Sequence, residues 1–273
     1  MYFIAGYRTD SDPAVWTEMI QLANEFFKIT RGYQNQLNDH FGYNPPVPET
    51  TTTMWDFEYS SYLNIYAYPK ELCYTDISPM PENFLQIDAF CRQETETFTI
   101  PKELEGMPGK ALIYFSMGSM GSIDVDLIKK FLSIFAQTPY KFIVSKGPRA
   151  GEYDLPPNCW GEQFLPQTAI LPLVDLVITH GGNNTFTECL AFGKKMIVLG
   201  LFADQLDNVA RIVEKGYGDS FNPYKIEKAE LLKSIDRLLA DEQLILKLQQ
   251  MKDRIAKENR KAIACQAIEC LFI

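Results

Sequence analysis

The sequence predicts a doubly wound α/β domain built on a parallel sheet, and three observations predict it. Four short segments, ALIYF (111–115), YKFIVS (140–145), LVDLVIT (173–179) and KMIVLG (195–200), are apolar and rich in β-branched or aromatic residues. None alternates with polar residues, so each strand needs cover on both faces. Helical segments at 124–136, 185–192 and 205–215 lie between or after them, and strands alternating with helices give a parallel sheet wrapped on both sides.

The remaining elements follow in order. Residues 12–39 are expected to be helical: Asp12 can cap, Pro13 suits the first turn, and Val15, Met19, Leu22 and Phe26 recur at helical spacing. Gly32 is a point where this helix could break in two. FGYNPPVPETTTT is a Pro/Thr-rich loop, and FEYSSYLNIY (57–66) suits a strand or an exposed aromatic loop. The Pro-rich, acidic stretch at 76–110 reads as an interdomain linker. After the α/β region, residues 226–271 form two or three more helices, with Leu231, Leu232, Ile235 and Leu239 on one apolar stripe.

Composition limits the function. The chain has 273 residues, 46% hydrophobic and 22% charged, enough for one large domain or a domain with part of another. A net charge of −9 disfavours nucleic acid and anionic membrane surfaces. Six cysteines without a C-x-x-C, and only two histidines, predict no metal site and reduced thiols. The apolar start of the chain is too short for a signal sequence, and no stretch reaches the length of a membrane span.

The chemistry concentrates in three loops leaving strands at one sheet edge, where open α/β sheets bind ligands. They are Ser116-Met117-Gly118-Ser119, His180-Gly181-Gly182-Asn183-Asn184-Thr185 and Leu201-Phe202-Ala203-Asp204-Gln205. In the middle loop, glycines let the backbone approach a ligand closely. Asn184 and Thr185 then open a helix ending near Gly193, whose first N–H groups and dipole make an anion site that needs no Lys or Arg. A diphosphate suits such a site, with His180 as a side-chain donor at its rim. Alternatives stand beside these readings. Thr185-x-x-Glu188 is also a capping box, His180 could be a satisfied histidine at a strand end, and Asp204 and Gln205 could cap the helix they precede.

Taken together, residues 164–208, FLPQTAILPLVDLVITHGGNNTFTECLAFGKKMIVLGLFADQLDN, closely resemble the UDP-glycosyltransferase signature, with its W-x-P-Q start, T-H-x-G centre, N-[ST]-x-x-E helix and D-Q-x-x-N end. The resemblance continues more loosely from about residue 100 to the end, and GYRTDSDPAVW resembles the later part of that family's N-terminal domain. It implies a GT-B fold: a Rossmann-like donor domain at 99–273, preceded at 1–98 by the end of an acceptor-binding domain and a linker.

By the same resemblance, Phe164 stacks on uracil where the family usually has Trp, and Gln167 contacts the nucleoside. His180, Gly182, Asn184 and Thr185 hold the diphosphate together with Ser119, and Glu188 accepts from the ribose hydroxyls. Asp204 and Gln205 bind hydroxyls of the transferred sugar. Asn183 replaces the Trp of the plant signature, which leaves no sugar contact to assign there. The implied activity is inverting hexosyl transfer from a UDP-sugar, with UDP-glucose favoured, to a hydroxyl of a small lipophilic acceptor, without cofactor or metal.

The family's base is a histidine near the start of the N-terminal domain, oriented by an aspartate, and His40 is in the wrong part of the sequence for it. The expectation is a chain needing a missing N-terminal domain or partner chain, as a fragment, a truncated gene product or half of a two-chain enzyme. The second reading is a non-catalytic UDP-sugar-binding subunit; split glycosyltransferases of that kind exist. An epimerase on the same fold fits residues 164–208 less well. A missing domain would leave apolar faces uncovered within residues 1–75. Asn183-Asn184-Thr185 is also an N-x-T sequon, and a glycan there would block the ligand, so the expected compartment is the cytoplasm.

Overall fold

Helix α1 (Pro13–Phe41) comes first, followed by strands β1 (Asn64–Ala67) and β2 (Phe84–Ile87) and the single-turn helix α2 (Lys102–Glu105). A computed structural model describes residues 13–42, 60–77, 79–92, 96–108 and 111–272. The proposed cap Asp12 and residues 57–59 of the expected 57–66 strand lie outside them. Helix α1 runs through Gly32 without a break. One exposed glycine costs about 1 kcal/mol relative to alanine, which lowers helix stability but does not end a helix of this length.

The α/β unit then follows in the order β3 (Leu112–Ser116), α3 (Gly118–Gly121), α4 (Val125–Phe135), β4 (Lys141–Ser145), β5 (Cys159–Glu162), α5 (Gln167–Ile170), β6 (Leu176–Thr179), α6 (Asn183–Ala191), β7 (Lys195–Val198), α7 (Asp204–Glu214) and β8 (Gly218–Ser220). All six strands are parallel, in the order β5-β4-β3-β6-β7-β8. Strands β3 and β6 are buried along their whole length. Covering β3 and β4, α4 buries Phe131 and Phe135, and the Phe135 ring stacks on Phe142 of β4 at 4.0 Å. Each such ring contributes about 1.5–3 kcal/mol through burial.

The four expected strands are therefore present, and two more flank them. Both additions are half-buried edge strands, Cys-Trp-Gly-Glu and Gly-Asp-Ser, with neither an apolar run nor an alternation to betray them. Helices α8 (Lys228–Ala240), α9 (Glu242–Glu258) and α10 (Arg260–Glu269) close the chain. Leu231 and Ile235 are fully buried, as the apolar stripe requires; Leu238 joins them, while Leu232 and Leu239 are partly buried against the same core.

Within the 76–110 stretch, residues 84–87 form β2, which pairs in parallel with β1, Asn64 opposite Phe84 and Ala67 opposite Ile87. A two-stranded pair is marginal alone, and polar clamps hold this one to the C-terminal helices. Arg254 of α9 donates to both Glu71 oxygens at 2.6 Å and to buried Asp88 at 2.7 Å. Lys70 pairs with Glu258, and Arg260 donates to the Gln86 carbonyl. By contrast, α1 leaves Leu22, Phe26, Ile29, Tyr33, Leu37 and Phe41 exposed on its surface.

Arg254→Ala strands the Asp88 carboxylate, only 3% exposed, and is expected to cost about 3 kcal/mol in urea unfolding. Adding Asp88→Asn should recover part of that loss. An Arg254→Ala loss under about 0.5 kcal/mol would show that the clamp does not hold the segment.

Candidate functional site

The direction of winding reverses at the centre of the sheet. From β3 the chain crosses to β4 on one side, and from β6 it crosses to β7 on the other, yet β3 and β6 are neighbours with Ser116 opposite Thr179. A crevice opens at the carboxyl ends of two such strands because their outgoing loops diverge. A cleft of about 640 Å³ lies there, lined among others by Ser116, Gly118 and Ser119 after β3 and by the loop after β6.

The His180 imidazole sits in a slot between these loops. A Cβ on Gly118 would lie 2.6 Å from its Cε1 and Nε2, and one on Gly182 would lie 2.5 Å from Nε2. Gly118 also takes φ +66°, which only glycine adopts freely. Both glycines thus make room for the ring as much as for a ligand. Nδ1 is 3.3 Å from the Thr179 hydroxyl. Burial pushes the imidazole below the ordinary histidine range, against an upward pull from a hydrogen bond to the Ser116 backbone and from the Asp204 charge. His180 is accordingly a neutral hydrogen-bonding group at neutral pH.

Helix α6 starts at Asn183 with Gly182 as its N-cap, and its first internal bond runs from Phe186 N–H to the Gly182 carbonyl. The N–H groups of Asn183, Asn184 and Thr185 therefore have no intrahelical acceptor and face the cleft end of the helix. Asp204 takes the first of them: its Oδ2 accepts from Asn183 N–H at 2.9 Å. The Asn183 side chain donates to the Ala67 carbonyl at 3.2 Å, tying the loop to the end of β1.

About one and a half turns into α6, Glu188 is 2% exposed yet lines the cleft. Gln167 Nε2 donates to its Oε2 at 2.6 Å and lies 3.2 Å from the Thr185 hydroxyl. The capping-box alternative fails because the helix begins two residues before Thr185, which leaves Glu188 beyond reach of the cap. The expected helix end holds: Phe192 is the C-cap and Gly193 follows it.

Nine of the ten expected site residues line this cleft: Ser119, Phe164, Gln167, His180, Gly182, Asn184, Thr185, Glu188 and Asp204. Gln205 does not. It is buried, and its Oε1 accepts from the N–H groups of Leu201 and Phe202 at 2.9 and 3.3 Å, so it braces the loop after β7. Nor does Asp204 cap α7, of which it is the first residue; it caps α6 instead.

Sequence reasoning missed Phe90 and Arg92, which join the lining from the segment after β2, and Ser145 at the end of β4. Arg92 Nε is 3.9 Å from Glu188. Fold position alone reveals them, since no motif surrounds them. It also missed what Asn208 does: its amide donates to the Gly181 carbonyl at 2.7 Å and its oxygen accepts from Tyr68 OH at 2.8 Å. Among the described residues no group of three or more His, Cys, Asp or Glu could hold a metal.

Comparison with known proteins places the chain in a family. Residues 89–262 match the family described as UDP-glucoronosyl and UDP-glucosyl transferase. The chain belongs to this family. A UDP-glucuronosyltransferase of Pleuronectes platessa is 28% identical over 183 residues, 63% of this chain and 38% of the relative. The demethyllactenocin mycarosyltransferase of Streptomyces fradiae is 26% identical over 167 residues, 60% of this chain and 36% of the relative. The crystal structure of the calicheamicin glycosyltransferase superposes with a TM-score of 0.65 at 22% identity, covering 86% of this chain and 58% of that one. This UDP-glycosyltransferase family member has the GT-B type of fold, and it spans well under half the length of these two curated relatives.

The glycine slot gives a test within the family member's own site. The NMR titration midpoint of His180 is expected below the ~6.5 of an open histidine, and Gly182→Ala should move it upward by forcing the ring out. Gly32→Ala, with nothing within 4 Å of the added methyl, should leave it unchanged. A Gly182→Ala midpoint equal to the wild-type one would show that the slot does not bury the ring.

Proposed function

We propose that the cleft binds a UDP-sugar, with UDP-glucose as the donor, and that the chain is the donor-binding part of an inverting glycosyltransferase. The observation that carries this reading is the pairing of an anion site with a buried acceptor on one helix. The first turn of α6 points N–H groups at the β3–β6 crevice, and Glu188, farther along the same helix, lines that crevice with its carboxylate. That spacing suits a nucleoside diphosphate, which carries anionic oxygens at one end and ribose hydroxyls nearby.

In this reading the diphosphate lies on the N–H groups of Asn184 and Thr185, with His180 and Ser119 beside it, because helix N-termini favour anions. Glu188 accepts from the ribose hydroxyls, and Gln167 fixes its orientation. Phe164, 70% exposed at the rim, offers its face to uracil, and Asp204 accepts from hydroxyls of the sugar. Gln205 supports Asp204 from behind by holding the loop. An acceptor hydroxyl of a small lipophilic molecule attacks the anomeric carbon, and the carbon–oxygen bond to the β-phosphate breaks with its electron pair left on the phosphate oxygen. Donors already in place stabilise that charge.

The acceptor proton goes to a base outside this cleft. His40 ends α1 edge-on to Phe41 and is not part of the lining. We assign residues 1–98 to the end of an acceptor-binding domain and 99–273 to the donor domain. The exposed apolar face of α1 supports the second reading equally, a UDP-sugar-binding subunit completed by a partner. A glycan on Asn183 would block the cleft, which supports a cytoplasmic location. No helix among the described residues is long and apolar enough to cross a membrane.

Calorimetric titration of UDP and UDP-glucose into the chain tests the reading. His180→Ala and Glu188→Ala should each weaken binding about tenfold or more, the effect of losing a hydrogen bond to a charged group. A folded wild-type chain that binds neither ligand would refute it.

A further inference from the structure

The Asp204 carboxylate lies at the start of α6, next to the N–H groups on which the proposed diphosphate rests. It accepts from the first N–H of α6 at 2.9 Å and lines the cleft beside His180, Asn184 and Thr185. The preceding residue, Ala203, takes φ 54° and ψ −136°, a backbone region that side chains rarely occupy. Strain of this kind persists where the surroundings fix it, and here it starts α7 so that its first side chain reaches back across to α6. An acidic residue at this point opposes the anion that the helix attracts.

We propose that Asp204 makes the cleft favour the nucleotide-sugar over the nucleoside diphosphate left after transfer. The inference rests on the reading of the cleft as a UDP-sugar site. In the donor the diphosphate carries two ionised oxygens, and the sugar hydroxyls can donate to the carboxylate, which only accepts. When the bond to the anomeric carbon breaks, its electron pair leaves a third ionisable oxygen on the β-phosphate, with a pKa of about 6. The product thus loses the hydroxyl partners of Asp204 and gains a charge that Asp204 repels. Repulsion between like charges is strong in a half-enclosed cleft, and the carboxylate is already placed to retake the Asn183 N–H as the product leaves.

Titration of UDP and UDP-glucose into the full chain, wild type against Asp204→Asn and Asp204→Ala, tests this. Both variants should bind UDP about tenfold more tightly, equivalent to about 1.4 kcal/mol, while UDP-glucose stays within about threefold or weakens. A residue that only caps α6 would give the opposite pattern, with both ligands weakened together, and that result overturns the inference, as does unchanged UDP affinity in both variants. A wild-type chain that binds neither ligand removes the underlying reading and the inference with it.

Discussion

Ser116 and Thr179 are register partners at the ends of two neighbouring strands whose chains leave in opposite directions. Everything at the site depends on that adjacency. It brings two loops far apart in sequence to the same crevice, and it sets the His180 ring against glycines contributed by both. Both strands are buried along their whole length, so the loops leave directly from the core.

The cleft is braced by side-chain hydrogen bonds from several elements. Asn208 bridges the Gly181 carbonyl to Tyr68, and Tyr68 stacks on Phe186 of α6 at 5.9 Å. Gln167 orients Glu188, and Gln205 fastens the loop from which Asp204 projects. The segment after β2 adds Phe90 and Arg92 to the rim, and its position is set by Arg254 and by Lys261, which donates to the Cys91 carbonyl at 2.8 Å. The C-terminal helices therefore shape the mouth of the cleft without lining it. Among the described residues Arg92 is the one Lys or Arg in the lining, so the donors for an anion at the start of α6 would be mainly backbone N–H groups.

Much of this was legible in the sequence because central parallel strands must be apolar on both faces, and because loop residues keep fixed intervals from the strands that carry them. The β3, β4, β6 and β7 runs announce themselves for the first reason, and His180 to Glu188 for the second. What was hidden obeys neither rule. Cys159–Glu162 and Gly218–Ser220 are edge strands with one buried flank, and the β1–β2 pair is held by ion pairs that local sequence does not encode. Gln205 and Asp204 illustrate a further limit: motif spacing located both, but whether each side chain faces the cleft, the loop or a neighbouring helix is decided by packing. Arg92 had no motif at all and comes to the rim through the bonds that α9 and α10 make to β2 and the segment after it.

The most direct test is a crystal structure of the chain with UDP-glucose bound. The expected result puts a β-phosphate oxygen about 3 Å from the N–H of Asn184 or Thr185, a ribose hydroxyl on Glu188, and the sugar beside Asp204. A nucleotide bound elsewhere, or in this cleft with its phosphates away from the start of α6, would contradict the assignment of the β3–β6 crevice as the donor site.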